Sequence, residues 1–483
     1  DDAQAAPWLV RAADAARLQG RLREATAFRE RAADLYETLG ANDDAFDAVS
    51  TAAHHLVELA LPGDLTRLCD RLARLARTPR QRARAYEARL HLLYEQSDWA
   101  ALRQLSETTL AHASALGDTN LLLICHDALA MLAIFEGHHD DAASHLARLD
   151  EFSVTLDRPL LRATTRYGQG WVMGYTDPRS AVELLEASVT LSEHAGGHPL
   201  GRVPTLAKLT EVWREHGHAP NAYGVSLRVR EVLERSDVAS HLRLVGAHAL
   251  FLAQLLTGEY DAALGTLRGA LKLDVPPQVW WRSVLRLDLA ELLLTLGAPR
   301  EALAELDAVD ARADLHEVDQ PRRLLLRART LVTLGRPADA AFDEALARPF
   351  TIRHAYVHAR LLIARAATLP LARATRPLEE ALEIARAANL GGVRIEALVA
   401  LAQAHLTLGQ PELARTHGAQ AVALSETFTS DVPTFDVWAT HAAALNATGD
   451  PGVTAARERA RLLRQDAERR VPSGYRLTGN STR

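Results

Sequence analysis

Apolar residues recur at three- and four-residue spacing over about 13 to 18 positions, stop at a glycine, and resume a few residues later. The stretch Leu255-Leu-Thr-Gly-Glu-Tyr-Asp-Ala-Ala-Leu264 contains the whole unit: the end of one helix, a tight turn and the start of a second. Ahead of the next turn, Leu285, Leu287, Leu289, Leu292, Leu293 and Leu296 mark an apolar stripe of helical period. The phrase returns at Gly20, Gly63, Ser97 (in place of Gly), Gly137, Gly174, Gly217, Gly258, Gly297, Gly335, Gly409 and Gly449. Steps run from 34 to 43 residues and average about 39, and the double gap after Gly335 places one more unit near Leu371–Ala381.

Two columns beside the turn support this register. Five residues after it stand Ala25, Ala142, Ala222, Ala263, Ala302, Ala340 and Ala414; seven before it stand Ala13, Ala130, Ala290, Ala328, Ala402 and Ala442. Small residues belong where the two helices of a hairpin cross closely. The turn chemistry agrees. Glycine accepts the left-handed conformation that ends a helix. Pro299, Pro337 and Pro411 follow two residues on, where a missing N–H is harmless. Asp140, Asp141 and Asp261 face the positive end of the second helix. The linkers Gly196-Gly-His-Pro199, Val275-Pro-Pro277 and Asn389-Leu-Gly-Gly392 are too short to separate domains. The expected fold is all-α: about twelve antiparallel helix pairs in one right-handed superhelical solenoid over 1–470. A subdivision near 196–204 or 274–279 is compatible with it. Ala455–Arg470 forms the capping last helix, and residues 471–483 are expected to be disordered.

Gly-Glu-Tyr-Asp-Ala-Ala-Leu resembles the turn of the tetratricopeptide repeat, whose usual period is 34 residues. Lengthened repeats of this kind are similar to those in the sensor regions of bacterial signal-transduction ATPases and of large transcriptional regulators such as the maltose regulator. The opening Ala5-Ala-Pro-Trp-Leu-Val-Arg-Ala-Ala-Asp-Ala-Ala16 resembles the first repeat that follows the ATPase and winged-helix modules there. Because the chain starts at Asp1, it is expected to be a processed protein or a piece of a longer one. The resemblance implies that residues 13, 10, 6 and 3 before the turn point into the concave groove. This selects Arg84, Glu87, His91 and Tyr94, then Asp127, Trp171, Glu211 and Arg214, and further on His248, Glu291, Arg322, Arg329, Glu396 and Gln403. Charged and aromatic side chains at this spacing suit a peptide or small polar ligand.

Composition narrows the chemistry. Basic and acidic residues number 55 and 61, are mixed throughout and leave a net charge of −6, so no basic stripe for nucleic acid exists. The only lysines, Lys208 and Lys272, follow no glycine loop, which excludes a Walker-type nucleotide site. Cys69 and Cys125 match no redox or metal spacing and read as buried hydrophobes. His54-His55, His138-His139 and His216-Gly-His218 lack the partners of a metal site, and the turn histidines 138 and 139 are expected in solvent. Of Trp280-Trp281, one is expected to pack between repeats and the other to be exposed. No apolar run is long enough to span a membrane, and the expected location is the cytoplasm. The reading is thus a non-catalytic region without cofactor or metal, the sensor or docking part of a bacterial regulatory protein. Its partner is a protein, a peptide or a small polar effector, and self-association is a further role. The alternative is a stand-alone adaptor that grips peptide segments.

Overall fold

The computed structural model describes residues 2–19, 21–59, 62–96, 98–155, 159–195, 199–235, 238, 240–275 and 279–477. Within them the first six hairpins are α1 Asp2–Leu18 with α2 Leu22–Thr38, α3 Asn42–Glu58 with α4 Pro62–Leu75, and α5 Pro79–Glu95 with α6 Trp99–Leu116. Then come α7 Thr119–Phe135 with α8 His139–Thr155, α9 Pro159–Gly174 with α10 Pro178–His194, and α11 Pro199–Glu215 with α12 Ala219–Arg235. The next three are α13 Ser240–Thr257 with α14 Tyr260–Leu271, α15 Trp281–Thr295 with α16 Pro299–Arg312, and α17 Gln320–Thr333 with α18 Asp339–Ala347. A short helix, α19 Pro349–Arg353, intervenes before the last three. These are α20 Ala355–Ala366 with α21 Leu371–Ala387, α22 Gly391–Thr407 with α23 Pro411–Ser425, and α24 Thr434–Thr448 with α25 Val453–Glu468. Among the described residues there is no strand, and the fold is the expected right-handed solenoid of twelve pairs.

The turn glycines act as the pattern requires at Gly137, Gly217, Gly258, Gly297, Gly335, Gly409 and Gly449, all at positive φ. The alanine columns are buried at Ala13, Ala130, Ala290, Ala328, Ala402 and Ala442 before the turn and at Ala25, Ala142, Ala222, Ala263, Ala302 and Ala414 after it. Three positions differ. Gly63 lies inside α4, which starts at Pro62. Gly174 ends α9 in helical conformation; its missing Cβ leaves room for Val212 and for the stem of Lys208 on α11. After Gly335 the second helix starts late, at Asp339, so Pro337 precedes it, Ala340 is exposed, and Ala338 and Phe342 fill the hairpin instead. Gly20, Ser97, most of the 196–199 linker and the Pro276-Pro277 pair lie outside the described residues.

First helices pack side by side through the array, α11 on α13, α13 on α15, α17 on α20 and α22 on α24, while second helices cover the outside. The largest apolar cluster lies in hairpins seven and eight around Phe251, Leu267, Leu287 and Leu292. Successive hairpins bury a continuous core because none can cover its own apolar face.

The superhelix then closes on itself. Hairpin six meets hairpins ten to twelve: Glu215 pairs with His354 at 3.2 Å, and His216 Nδ1 lies 3.1 Å from the Asn389 carbonyl. The Thr429 N–H donates to the Gly217 carbonyl at 2.8 Å. The irregular α19 carries Phe350 across to hairpins four and five, where its ring stands 5.2 Å from Tyr175 and 5.3 Å from His139. At the far end, the Arg476 N–H donates to the Leu296 carbonyl at 3.2 Å, and Val471, Tyr475 and Leu477 pack on the cluster of hairpins seven and eight. Residues 471–477 of the tail expected to be disordered are therefore packed, and 478–483 lie outside the described residues.

Candidate functional site: a charged and aromatic cavity inside the superhelix

Closure converts part of the concave face into a cavity of about 80 Å³. First helices α9, α11, α13, α15, α17 and α20 contribute most of its wall, because inward positions on successive first helices stack above one another. The lining has an aromatic side and an ionic side.

On the aromatic side, the Trp171 Nε1–H donates to the Tyr175 hydroxyl at 2.6 Å, and Tyr167 stands edge-on to Trp171 with ring centres 5.5 Å apart. Trp280 and Trp281 stack at 4.5 Å. Trp280 is buried against Phe135 and His316, and Trp281 is half-buried beside His248. Both tryptophans line the cavity, so neither simply points into bulk solvent. The Lys208 ammonium lies 5.0 Å and 4.7 Å from the Trp171 and Tyr175 ring centres and 3.0 Å from the Glu211 carboxylate. Burial works against its charge, but Glu211, Tyr175 and Glu215 together outweigh that and raise its pKa.

On the ionic side, Glu291 is almost completely buried and meets three guanidiniums: Arg214 at 2.5 Å, Arg322 at 2.6 Å and Arg360 at 3.7 Å. Arg322 also reaches Asp288 at 2.7 Å, and Asp288 accepts from His248 Nδ1 at 2.7 Å. Arg214 extends to Asp431 at 3.3 Å, and Arg360 pairs with Asp431 and with Glu396, the latter at 3.4 Å. Burial pushes the Glu291 carboxyl up, but the three arginines overcompensate and hold it well below the usual carboxylate range.

Six of the residues expected in the groove, Trp171, Glu211, Arg214, His248, Glu291 and Arg322, line this cavity. Glu396 joins its network through Arg360, and Arg329 lies close enough to Arg360 and Asp431 to feel both. Burial, then Arg360, lowers the Arg329 pKa. Gln403 is further along, where its amide donates to the Thr440 hydroxyl at 3.2 Å. The N-terminal candidates do not line the cavity, although Tyr94 packs on the cluster that contains Trp171 and Trp280. Arg84 pairs with Asp47 and covers the Phe46 ring, Glu87 is exposed, and Tyr94 stands 5.5 Å edge-on to Trp99. His91 is reached by water but crowded by protein, which lowers its pKa. Burial, then Glu87, raises Asp127 to about 6.

Several lining residues escape the groove rule. Lys208 and Tyr167 occupy other phases of their helices, Tyr175 follows the end of α9, Asp319 lies in the turn ahead of α17, and His354, Tyr356 and Arg360 fall in the double gap that has no glycine to set the register. The turn histidines also separate: His138 is exposed, whereas His139 opens α8, is buried against Tyr175 and Phe350, and has its pKa lowered to about 4, first by burial. Cys69 and Cys125 are buried, and burial raises both thiols, to about 11 and about 12. Among the described residues, no three His, Cys, Asp or Glu are placed to share a metal ion, and no helix is long and apolar enough to cross a membrane.

No protein-family model matches the chain, and no curated protein sequence matches it. Solved structures do. A Rap protein complexed with Competence and Sporulation Factor aligns with a TM-score of 0.52 at 14% identity, covering 72% of this chain and 98% of that one. This is a tetratricopeptide-type solenoid. The apo quorum sensor NprR from B. thuringiensis gives 0.47 at 13% identity over 70% of this chain and 97% of that one. The Cut9–Hcn1 hetero-tetramer gives 0.42 at 14% identity over 97% and 94%. At these identities the likeness is one of fold.

Proposed function

We propose that this chain is the non-catalytic sensor region of a regulatory protein, which holds a peptide or small polar effector inside the superhelix and reports it by a change in closure. One observation carries the reading: the residues that line the cavity are also the residues that close the solenoid. Arg214 faces the cavity and bridges Glu291 of hairpin eight to Asp431 before hairpin twelve; Glu215 faces it and holds His354 of hairpin ten. An occupant that competes for these charges biases the open and closed forms differently, which is what a ligand must do to act as a signal. The Rap protein, solved in complex with Competence and Sporulation Factor, has a similar fold. The opening at Ala5–Ala16 supports a cytoplasmic bacterial regulator with ATPase or DNA-binding modules as the carrier.

Small-angle scattering and tryptophan emission test the reading. Arg214→Ala and Glu215→Gln each increase the radius of gyration and shift the emission of the cavity tryptophans to the red. Unchanged radius and emission in both variants refute the switch and leave the static adaptor. That second reading has its own support in the polar N-terminal stretch of Arg84, Glu87, His91 and Asp127, which suits a peptide segment.

A further inference from the structure

Among the described residues, one carboxylate lining the cavity has no hydrogen-bond or ion-pair partner. Asp319 ends the 3-10 turn Glu317–Asp319 and stands at the N-cap position of α17, yet its side chain makes no cap bond. Its Oδ2 is shut off from water and accepts no hydrogen bond. The neighbouring carboxylate, Glu211, is engaged by Lys208, so two acidic groups share one ammonium.

The other wall carries no unpaired carboxylate, and its unsatisfied atoms, Arg214 Nε and Arg360 Nη2, belong to guanidiniums that carboxylates already hold. Arg322 is held by Asp288 and Glu291, Arg214 by Glu291 and Asp431, and Arg360 by Asp431 and Glu396. An anion entering there would have to displace carboxylates already in place. A cation at Asp319 displaces no group of the protein, only the carboxyl proton where one is bound. The walls favour a cation as well, since Tyr167, Trp171, Tyr175, Trp280 and Trp281 line the cavity and the face of an aromatic ring attracts a cation. Lys208, seated over Trp171 and Tyr175, is a built-in example of the same recognition.

Resting on the reading of the cavity as the binding site, we propose that it takes one organic cation, a primary ammonium or guanidinium head, paired with the Asp319 carboxylate and walled by these rings. At about 80 Å³ the space holds roughly five to eight waters, or a charged head with a few carbons. The head comes from a free amine or from a basic group of a peptide; the chemistry at Asp319 is the same.

The titration of Asp319 fits this occupant. Burial, then Glu211, pushes its pKa up to about 7, against the opposing pull of Arg322, His248 and Lys208. An arriving cation supplies the missing counter-charge and expels the proton. Affinity therefore rises as pH increases through about 7. Four groups face Asp319 and set this dependence: Glu211 and Lys208 from α11, His248 from α13 and Arg322 from α17.

The test is a tryptophan-emission titration of the full chain with n-butylammonium and methylguanidinium, against 1-butanol and butyrate as neutral and anionic controls. The cations are expected to saturate the signal at concentrations at least tenfold below the controls at pH 8, and to lose about tenfold in affinity at pH 6. Asp319→Asn abolishes that preference while its circular dichroism stays that of the parent; should it fail to fold, Glu211→Gln serves as the second variant, with a two- to tenfold loss. An acetylated lysine-containing tripeptide amide that binds more tightly than butylammonium assigns the cation to a peptide, and weaker binding assigns it to a free amine. The inference is overturned if butanol or butyrate bind as well as the cations, if no cation binds, or if Asp319→Asn binds undiminished. Closure that still depends on Arg214 and Glu215 would then leave the sensor reading standing.

Discussion

Replacing Asp319 with asparagine should stabilise the protein, and the size of the gain follows from the site. In an unfolded chain this carboxyl titrates near 3.8; in the cavity it titrates near 7, with burial as the main cause and Glu211 second. A folded-state pKa raised in an acid means that the native protein binds the extra proton. The unfavourable contribution is therefore absent below about pH 4, grows as the pH rises from about 4 to about 7, and is constant above that. At about 1.4 kcal/mol per unit, the ionised side chain costs at most roughly 4 kcal/mol at pH 8, and water reaching part of the residue reduces this to about 2–4 kcal/mol. Asparagine mimics the protonated acid and removes the penalty. Urea unfolding of parent and variant should separate by about 2–4 kcal/mol at pH 8 and converge to within about 1 kcal/mol at pH 4. Solenoids unfold by parts, so hydrogen exchange of α17 is the local readout; its amides should be better protected in the variant at pH 8. A variant no more stable than the parent at pH 8, or a difference that does not shrink with acid, would refute the reasoning. Such a penalty at one residue is expected where a protein keeps a charge for a ligand.

Other perturbations test the frame around the cavity. Glu291→Gln leaves Arg214, Arg322 and Arg360 facing one another without their shared carboxylate and should cost about 3–5 kcal/mol by urea unfolding. Because the Glu291 pKa is depressed, its contribution is present above about pH 4 and disappears as pH falls further through the folded value, so the variant's deficit should narrow in acid. Two turn glycines should behave differently. Gly409→Ala meets no atom within 4 Å and should cost only the left-handed penalty, about 1 kcal/mol, whereas the new Cβ in Gly217→Ala would stand 2.5 Å from the Thr429 carbonyl and 3.0 Å from the Gly392 nitrogen. Gly217→Ala should therefore loosen the contact of hairpin six with hairpin eleven and the loop after it, and enlarge the radius in scattering. Tyr475→Ala removes hydrogen bonds to Arg268 at 3.0 Å and Glu301 at 3.2 Å and should lower stability by about 1–2 kcal/mol, with faster exchange in α14 and α16.

The legible parts of the fold were those written in local geometry. A glycine that must adopt positive φ, and alanines where helices cross, announce themselves one hairpin at a time, and Gly137, Gly217, Gly258, Gly297, Gly409 and Gly449 behave as their pattern requires. The register failed where a glycine served packing, as Gly174 does beneath Lys208, or where the second helix was delayed, as after Gly335. The site was half legible for a related reason. Inward positions on helices with a marker glycine were placed correctly at Trp171, Glu211, Arg214, His248, Glu291 and Arg322. Tyr356 and Arg360 belong to the stretch interrupted by α19, where no local signal fixes the helical phase, and Asp319 sits in a 3-10 turn ahead of α17, outside the helices that the groove rule reads.

What the sequence determined alone was the repeat: an apolar stripe every turn, a glycine between helices, and small residues at the crossings suffice for an all-α array, because each interaction spans fewer than forty residues. What only the tertiary structure decided was that the array closes, that Phe350 reaches Gly137, that Thr429 reaches Gly217, and that Asp319 is left unpaired beside Glu211. These depend on small rotations summed over four to six hairpins, and a sum of that kind has no signature at any single residue.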